Sequence, residues 1–255
     1  MTDTIGTLTR RVLFSPLSDS GRTEVVVDKI RAAITLGVFA DGEQLPNEIE
    51  LAAQLQVSPV TLRDALKVIR KEGLARTTRG RSGGTFAIAP DDSHLLRIEK
   101  QLASIAVIEL RDSLDWLASL TSHSAYLAAA RASPSEVRTL TVAAEQITFN
   151  TSATQSRRNF SRFLIGVSAT ARSGRLTREM ITHLIDIAPI LMLVLRAPDV
   201  RRSCHQVAVK LVETIGKQDQ VASQYRAVAL IELVSEKVLE LHHRLARPEL
   251  SRSEK

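Results

Sequence analysis

Basic side chains are concentrated between residues 61 and 90. That stretch holds seven of them against two acidic residues, a local excess of five, whereas the net charge of the whole 255-residue chain is only +6. Lysine and arginine clustered on one short segment are the electrostatic footprint of a site that binds the phosphates of a nucleic acid. A solvated charged surface would have the same composition. The secondary structure that carries these residues therefore has to distinguish a nucleic-acid site from such a surface. The basic residues are Arg63, Lys67, Arg70, Lys71, Arg76, Arg79 and Arg81.

Two short helices are predicted at the start of this basic region. From residue 48 to residue 55, apolar side chains recur at helical spacing and can bury one face. Ser58 suits the N-cap of a second helix, and Pro59 suits its first position, where a missing N–H costs nothing. The second helix should run from residue 59 to about residue 72. Its buried stripe would consist of Leu62, Ala65, Leu66 and Ile69.

The opposite face of the second helix carries Val60 and Asp64 together with four of the basic residues. Gly73 follows where a left-handed C-cap is wanted. Two β-prone runs at 74–77 and 85–88 then flank a glycine-rich turn at 79–84. A short helix, a tight turn, a basic helix and a hairpin in this order would place one helix in a DNA major groove. The hairpin would then lie as a wing on the flanking phosphates.

The same segment resembles the signature of the GntR family of bacterial transcription regulators. The resemblance covers about the first 90 residues, and the gaps agree as well as the residues. It implies a winged helix-turn-helix that binds double-stranded DNA. Ile49 and Pro59 depart from it, because the family often has arginine at both positions. The matching residues are Gly42, Leu45, Pro46, Glu48, Leu51, Ala52, Val57, Ser58, Thr61, Arg63, Ala65, Leu66, Glu72, Gly73, Leu74, Gly84, Thr85 and Phe86.

DNA contacts are expected from the start of the second helix and from the hairpin. The resemblance implies a base or phosphate contact, most directly at Arg63 and then at Thr61. Val60 would make an apolar contact with a thymine methyl group. Arg79 and Arg81 would supply phosphate contacts in place of the two missing arginines. The full expected set is Ser58, Val60, Thr61, Arg63, Lys67, Arg79, Gly80, Arg81 and Gly83.

A length of 255 residues allows one or two domains. A hydrophobic content of 44% suffices for a buried core, and an aromatic content of only 4% suits helices packed through aliphatic side chains. We expect a poorly ordered segment over 1–20, a DNA-binding domain over 21–90, a linker over 91–100 and an all-α domain over 101–247. The predicted fold class is mainly α, with a winged helix-turn-helix and its small β-hairpin ahead of a C-terminal helical bundle.

Helical periodicity dominates after the hairpin. Ser133, Pro134 and Glu136 form a helix start, as N-cap, first helical residue and third helical residue. The predicted helices span 95–131, with a break near Ser104, and then 134–149, 155–171, 174–196, 199–216 and 219–245.

This second half is similar to the ligand-binding helical domain of the FadR branch of the GntR family. The similarity rests on 109–111, on 127–132 and on Phe160-Ser161 followed by 167–170. Many members of that branch hold a divalent metal with one aspartate and three histidines, a ligand set that suits Zn, Ni or Mn.

The metal-ligand positions have been replaced in this chain. Arg157 and Ser161 stand at the first two, while Ala208 and a position near Leu230 stand at the others. His205 is the one nearby histidine, and a single histidine cannot hold a structural metal. We therefore predict no metal site and no other cofactor.

Arg157 places a fixed cation where the resemblance implies a metal ligand. We hypothesise that Arg157, together with Arg111, Asn159 and His205, binds a small anionic effector. A planar guanidinium suits a carboxylate because it can donate two parallel hydrogen bonds. The alternative is that Arg157 points to solvent beside Arg158 and that the pocket is apolar.

Cys204 is the only cysteine, which excludes an internal disulfide and fits a reducing cytoplasm. The N-terminus lacks the sustained apolar core of a signal peptide. The most apolar stretch, 187–195, is too short to span a bilayer. A cytoplasmic protein without a membrane partner is expected.

The sequence favours a ligand-responsive transcription regulator, and the resemblance implies a repressor. A homodimer is expected, because two recognition helices related by a two-fold axis read a pseudo-palindromic operator. An enzyme is a weaker interpretation, since Ser161 and Ser168 have no visible His–Asp arrangement. A third interpretation keeps DNA binding but gives the helical half no effector, so that it serves only dimerisation.

Overall fold

The computed structural model describes residues 23–35, 39, 41–80, 83–88, 95–147 and 152–246. The chain divides into two units, Met1–Asp91 and Asp92–Lys255. The segment 1–20, for which poor order was expected, lies outside the described residues, as does Arg81.

Three helices build the core in the described part of the first unit. They are α1 (Thr23–Thr35), α2 (Glu48–Leu55) and α3 (Pro59–Lys71). The bounds of α2 are those predicted, and α3 ends one residue early. No predicted element corresponds to α1, although its buried Val27, Ile30 and Ile34 recur at helical spacing. The largest described side chains of this core are fully buried: Phe39, Ile30, Ile34, Leu51, Leu55, Leu62, Leu66 and Ile69.

The tight turn between α2 and α3 is closed by the backbone. Gln56 adopts a left-handed conformation with φ 53°, and its N–H donates to the carbonyl of Ala53 at 3.2 Å. The N–H of Val57 donates to the carbonyl of Ala52 at 3.0 Å. These bonds satisfy carbonyls at the end of α2 and turn the chain directly into α3.

The end of α3 is fixed by Gly73, as predicted. Its φ is +74°, and the N–H of Leu74 reaches back to the carbonyl of Ile69 at 3.1 Å, which is the Schellman pattern. Since the Leu74 N–H closes the helix, strand β1 begins one residue later than predicted, at Ala75. It spans Ala75–Thr78 and pairs antiparallel with β2 (Gly84–Ala87), with Thr78 opposite Gly84.

Helices make up the second unit. They are α4 (Leu95–Ser104), α5 (Val107–Arg131), α6 (Pro134–Glu145), α7 (Ala153–Thr170), α8 (Gly174–Val194), α9 (Pro198–Gly216) and α10 (Gln220–Ala246). The predicted break near Ser104 and the capping box of Ser133 and Glu136 are both present. Residues 95–100, which were assigned to a linker, instead belong to α4, because Leu95 and Ile98 are buried.

The longest helix, α10, runs antiparallel along α5. The side chain of Gln220 donates to the carbonyl of Tyr126, whereas His242, near the other end of α10, contacts the carbonyl of Ile105 at 2.9 Å. Helix α7 packs against α5, α6 and α8. The predicted fold class, a winged helix-turn-helix followed by an all-α bundle, is confirmed. In the part of the chain that the structure describes, no helix is both long enough and apolar enough to cross a bilayer.

Candidate functional site

Ser58 fixes the N-terminus of α3. Its Oγ accepts a hydrogen bond from the N–H of Thr61 at 3.1 Å and lies 2.9 Å from the Thr61 Oγ1. Pro59 occupies the first turn, as predicted. This cap sets where α3 begins and therefore which side chains its first two turns present outward. Ser58 thus has a structural role in addition to its predicted DNA contact.

The outward face of α3 presents Val60, Arg63 and Lys67, all of them exposed. Both cations have a carboxylate partner: Nε of Arg63 donates to Glu48 Oε2 at 2.8 Å, and Nζ of Lys67 lies 2.9 Å from Asp64 Oδ1. Exposed pairs of this kind are worth only about 0–1 kcal/mol. A polyanion can therefore compete for these two cations.

Interactions between its two strands stabilise the wing. The guanidinium of Arg76 lies over the ring of Phe86, 5.3 Å from the ring centroid. Behind it, Arg70 of α3 donates to Thr77 Oγ1 at 3.3 Å, which ties the wing to the helix. Arg79 and Gly80 are exposed at the tip. The wing is therefore braced against α3 while its basic tip faces outward.

Gly80 and Gly83 have backbone reasons to be glycine. Gly80 has φ +119°, a backbone conformation that residues with a Cβ rarely adopt. The N–H of Gly83 donates to the Gly80 carbonyl at 2.9 Å, and a Cβ on Gly83 would lie 2.6 Å from the carbonyl oxygen of Thr78. The positive φ of Gly80 and the close backbone approach at Gly83 therefore explain both glycines without requiring DNA.

Arg157 is buried inside the second unit. It lies in the first half of α7 and is only 1% exposed. In the described part of the chain, none of its three side-chain nitrogens has a hydrogen-bond partner. Burial, together with the charge of Arg158, lowers the pKa of Arg157 from 12.5 to about 9, so the guanidinium is still charged at neutral pH. The alternative in which Arg157 points to solvent does not describe this structure.

Ser161 lies one helical turn after Arg157. It is fully buried, and its Oγ has no hydrogen-bond partner among the described residues. Side chains four residues apart share one face of a helix. Arg157 and Ser161 therefore present a charged donor and a hydroxyl from the same buried face of α7.

A second buried arginine has hydrogen-bond acceptors inside the protein. Arg201 of α9 donates from one terminal nitrogen to the carbonyls of Leu195 at 2.9 Å and Arg196 at 2.6 Å, at the C-terminal end of α8. Cations suit that end of a helix, where carbonyls are left over. Among the described residues Arg157 has no such internal acceptor, and an unpaired buried charge is costly.

Among the described residues, no hydrogen bond joins Arg157 to the other three predicted effector residues. Arg111 is exposed on α5. Asn159 is satisfied internally, because its Nδ2 donates to the carbonyl of Gln146 at 2.6 Å and its Oδ1 accepts from Gln155 at 2.7 Å. A ring nitrogen of His205 lies 3.2 Å from the carbonyl of Ala144. These contacts fit structural roles, so the effector roles of these residues remain predictions without support from the geometry.

The residues at the family's metal-ligand positions do not fit a divalent cation. Arg157 is itself a cation, and the buried side chains of Ala208 and Leu230 have no donor atom. Over the described ranges, no three His, Cys, Asp or Glu side chains come together as a metal-binding group. The chemistry of this donor set favours an anion at Arg157.

Three tertiary contacts of the candidate nucleic-acid interface were not predicted from the sequence. Glu48, 15 residues before Arg63, and Phe86, 10 residues after Arg76, act through tertiary contacts. Gln44 is a third, since its Nε2 donates to the carbonyl of Gly83 at 3.2 Å across the base of the wing. No local spacing rule connects these positions.

Comparison with known proteins places this geometry in a family. The model of the bacterial regulatory proteins of the gntR family matches residues 22–86. The HTH-type transcriptional regulator RmpR of Mycobacterium gastri is 30% identical over 169 residues, which cover 66% of this chain and 62% of RmpR. The HTH-type transcriptional repressor NanR of Klebsiella aerogenes is 35% identical over 78 residues, 31% of this chain and 29% of NanR. The chain thus spans less than two thirds of the length of these relatives.

Among solved structures, the chain is similar to McbR/YncC of E. coli. The sequence identity is 16% and the TM-score 0.47, over 89% of this chain and 99% of McbR/YncC. Both of these relatives, RmpR and NanR, are HTH-type transcription regulators by name. The match over 22–86, the capped α3 and the braced hairpin agree with one another. The chain therefore carries the winged helix-turn-helix domain of the GntR family of bacterial transcription regulators.

Proposed function

We propose that this chain is a sequence-specific transcriptional repressor. It binds its operator as a homodimer, and a small anion bound at Arg157 changes its affinity for DNA. The observation that carries the DNA-binding part is the outward face of α3, where Arg63 and Lys67 stand exposed behind the Ser58 cap. The name of the relative NanR, a repressor, supports repression as the mode of action.

DNA binding divides between α3 and the wing. Val60, Thr61 and Arg63 occupy the first two turns of α3, the part of a recognition helix that reaches base edges. Lys67 lies one turn further along, where it would contact a phosphate. The exposed tip of the wing, with Arg79, would add a phosphate contact beside the groove.

Control by an anion rests on the state of Arg157. Its guanidinium is buried, charged and without an internal partner among the described residues. A carboxylate would supply two parallel acceptors and neutralise the charge, and Ser161 offers a further hydrogen bond one turn away. A ligand that binds one conformation of the helical unit more tightly shifts the equilibrium that governs DNA binding.

The DNA-binding part is tested with a fluorescent pool of random-sequence duplexes. We expect anisotropy to report binding that weakens with added salt. The variant Lys67→Ala should flatten the slope of log K against log salt by about 0.9, the value for one lost phosphate contact. Lys237→Ala is the matched control, because Lys237 is also an exposed lysine paired with an acid three residues away. Absence of any salt-sensitive binding would overturn the proposal.

The effector part is tested by thermal shift with mono- and dicarboxylic acids, sugar acids and acyl-CoA thioesters. A ligand present at about 100 times its Kd should stabilise the protein by about 2.7 kcal/mol. Arg157→Met should abolish that stabilisation, whereas Arg138→Met, at an exposed arginine of the same unit, should keep it. If no member of the panel stabilises the protein, the helical unit is better explained as a dimerisation module without an effector.

The homodimer is tested by sedimentation of the full chain with and without a duplex selected from the random pool. We expect two protomers for each duplex, because a pseudo-palindrome presents two half-sites. One protomer for each duplex at saturating protein would contradict the two-fold arrangement.

A further inference from the structure

The two most exposed large apolar side chains of α2 and α3 are Ile49 and Val60. Ile49 is the second residue of α2 and is 79% exposed, and Val60 is the second residue of α3 and is 64% exposed. Both lie in the first turn of their helix. The buried stripes of α2 and α3 already supply the core, so neither side chain is needed there.

Each of these two apolar residues lies close in its helix to one member of the ion pair between Glu48 and Arg63. Ile49 follows Glu48 directly in the chain, and the Glu48 carboxylate is bonded to Arg63 at 2.8 Å. Val60 precedes Arg63 by three residues, so the two share one face of α3. The cation predicted to reach the groove therefore has an apolar neighbour from each of the two helices.

We infer that Ile49 and Val60 read the 5-methyl groups of thymines on either side of the base contacted by Arg63. This inference rests on the proposed DNA binding. The major-groove edge of thymine carries a methyl group, the apolar feature that distinguishes it from cytosine. Neither side chain can donate or accept a hydrogen bond, so the contact available to them is burial of that methyl. Operators of this protein should therefore have thymines flanking the Arg63 position.

Single exposed apolar residues are common on protein surfaces, so exposure alone decides nothing. Ile108 in the second unit is 70% exposed and lies outside the helix-turn-helix, three residues before the exposed Arg111. What distinguishes Ile49 and Val60 is their position beside Arg63 on the face that presents Lys67. Ile108 provides the matched control for a substitution at Ile49.

The test replaces thymine by deoxyuridine, which removes the methyl group and leaves every hydrogen-bonding atom. A duplex is first selected from the random pool with the wild-type protein, and each thymine is then exchanged in turn. We expect about fourfold weaker binding for each contacted methyl, since burial of one such group contributes about 0.8 kcal/mol. Exchanges outside the contacted positions should have no effect.

The variants assign each methyl to a side chain. Ile49→Ala should no longer respond to deoxyuridine exchange at one position, and Val60→Ala should no longer respond at another. Ile108→Ala should keep both responses. Ile49→Leu should retain it, because leucine can still cover a methyl group. Tight binding that is indifferent to every deoxyuridine exchange would overturn this inference while leaving the proposed function intact. Failure of the wild-type protein to select any duplex would overturn the proposed function itself.

Discussion

The carboxylate of Glu48 accepts a hydrogen bond from Nε of Arg63 at 2.8 Å, across the turn between α2 and α3. The bond occupies Nε and leaves the two terminal nitrogens of Arg63 without a hydrogen bond to the described residues. Glu48 therefore orients the arginine while its terminal nitrogens stay available to a base or a phosphate. The carboxylate also brings a negative charge to a face that would meet phosphates.

We expect Glu48→Gln to strengthen binding to random-sequence duplexes. Glutamine keeps an oxygen that can accept from Arg63, whereas the repulsion between the carboxylate and the phosphates disappears. Because exposed charge interactions are worth at most about 1 kcal/mol, the gain should not exceed about fivefold. Anisotropy at low salt measures it, and the gain should shrink as salt is added. Glu240→Gln, which removes an acid paired with Lys237, is the control, and weaker binding by Glu48→Gln would refute the idea.

Substitutions at the two adjacent wing glycines should differ in severity. A Cβ at Gly83 would meet backbone atoms, the carbonyl oxygens of Thr78 at 2.6 Å and Gly80 at 2.8 Å. A Cβ at Gly84 would meet the side-chain amide of Gln44, which can rotate away.

Gly83→Ala should therefore weaken DNA binding about fivefold or more, because an enforced backbone shift costs at least about 1 kcal/mol. Gly84→Ala should have a smaller effect. Both variants should keep the helical circular dichroism of the parent, since neither glycine belongs to a helix. Equal losses for the two variants would show that the backbone contacts of Gly83 are not what fixes the turn.

Two buried arginines should respond to substitution with opposite signs. Arg157→Met should stabilise the ligand-free protein, because it removes a buried charge without hydrogen-bond partners among the described residues, and such replacements can gain about 1–4 kcal/mol. Arg201→Met should destabilise it, because the carbonyls of Leu195 and Arg196 lose their donor. Urea unfolding followed by circular dichroism measures both. A destabilised Arg157→Met would mean that the guanidinium already has an internal partner.

Cys204 should be inert in the folded protein. Burial raises the pKa of its thiol from 9.0 to about 12, so the reactive thiolate is scarce at pH 8. We expect an aromatic disulfide reagent to label it only after urea unfolding. Since the thiol ionises above pH 9 in the unfolded chain but not in the folded one, stability should fall between pH 9 and 12 relative to Cys204→Ala. Rapid labelling of the native protein would contradict this burial.

Local signals in the sequence determine most of the helices and both strands. The Ser58 cap and the Ser133–Glu136 capping box each act within three residues, and Gly73 ends α3 through its own backbone. Such features depend on neighbours in the chain, which is why the bounds of α2 and the break after Ser104 follow from sequence. The helix α1 has the same kind of signal in its buried apolar residues, although no helix was predicted there.

Only the tertiary structure decided which hydrogen-bond partners the functional side chains have and which of these side chains are buried. Asn159 and Arg157 are two residues apart on α7, yet the amide of Asn159 is bonded to Gln146 while the guanidinium of Arg157 is buried without a partner among the described residues. Arg63 is bonded to Glu48, 15 residues away. Burial and partnership of this kind depend on which helices meet in space, and the order of residues along one helix carries no information about that.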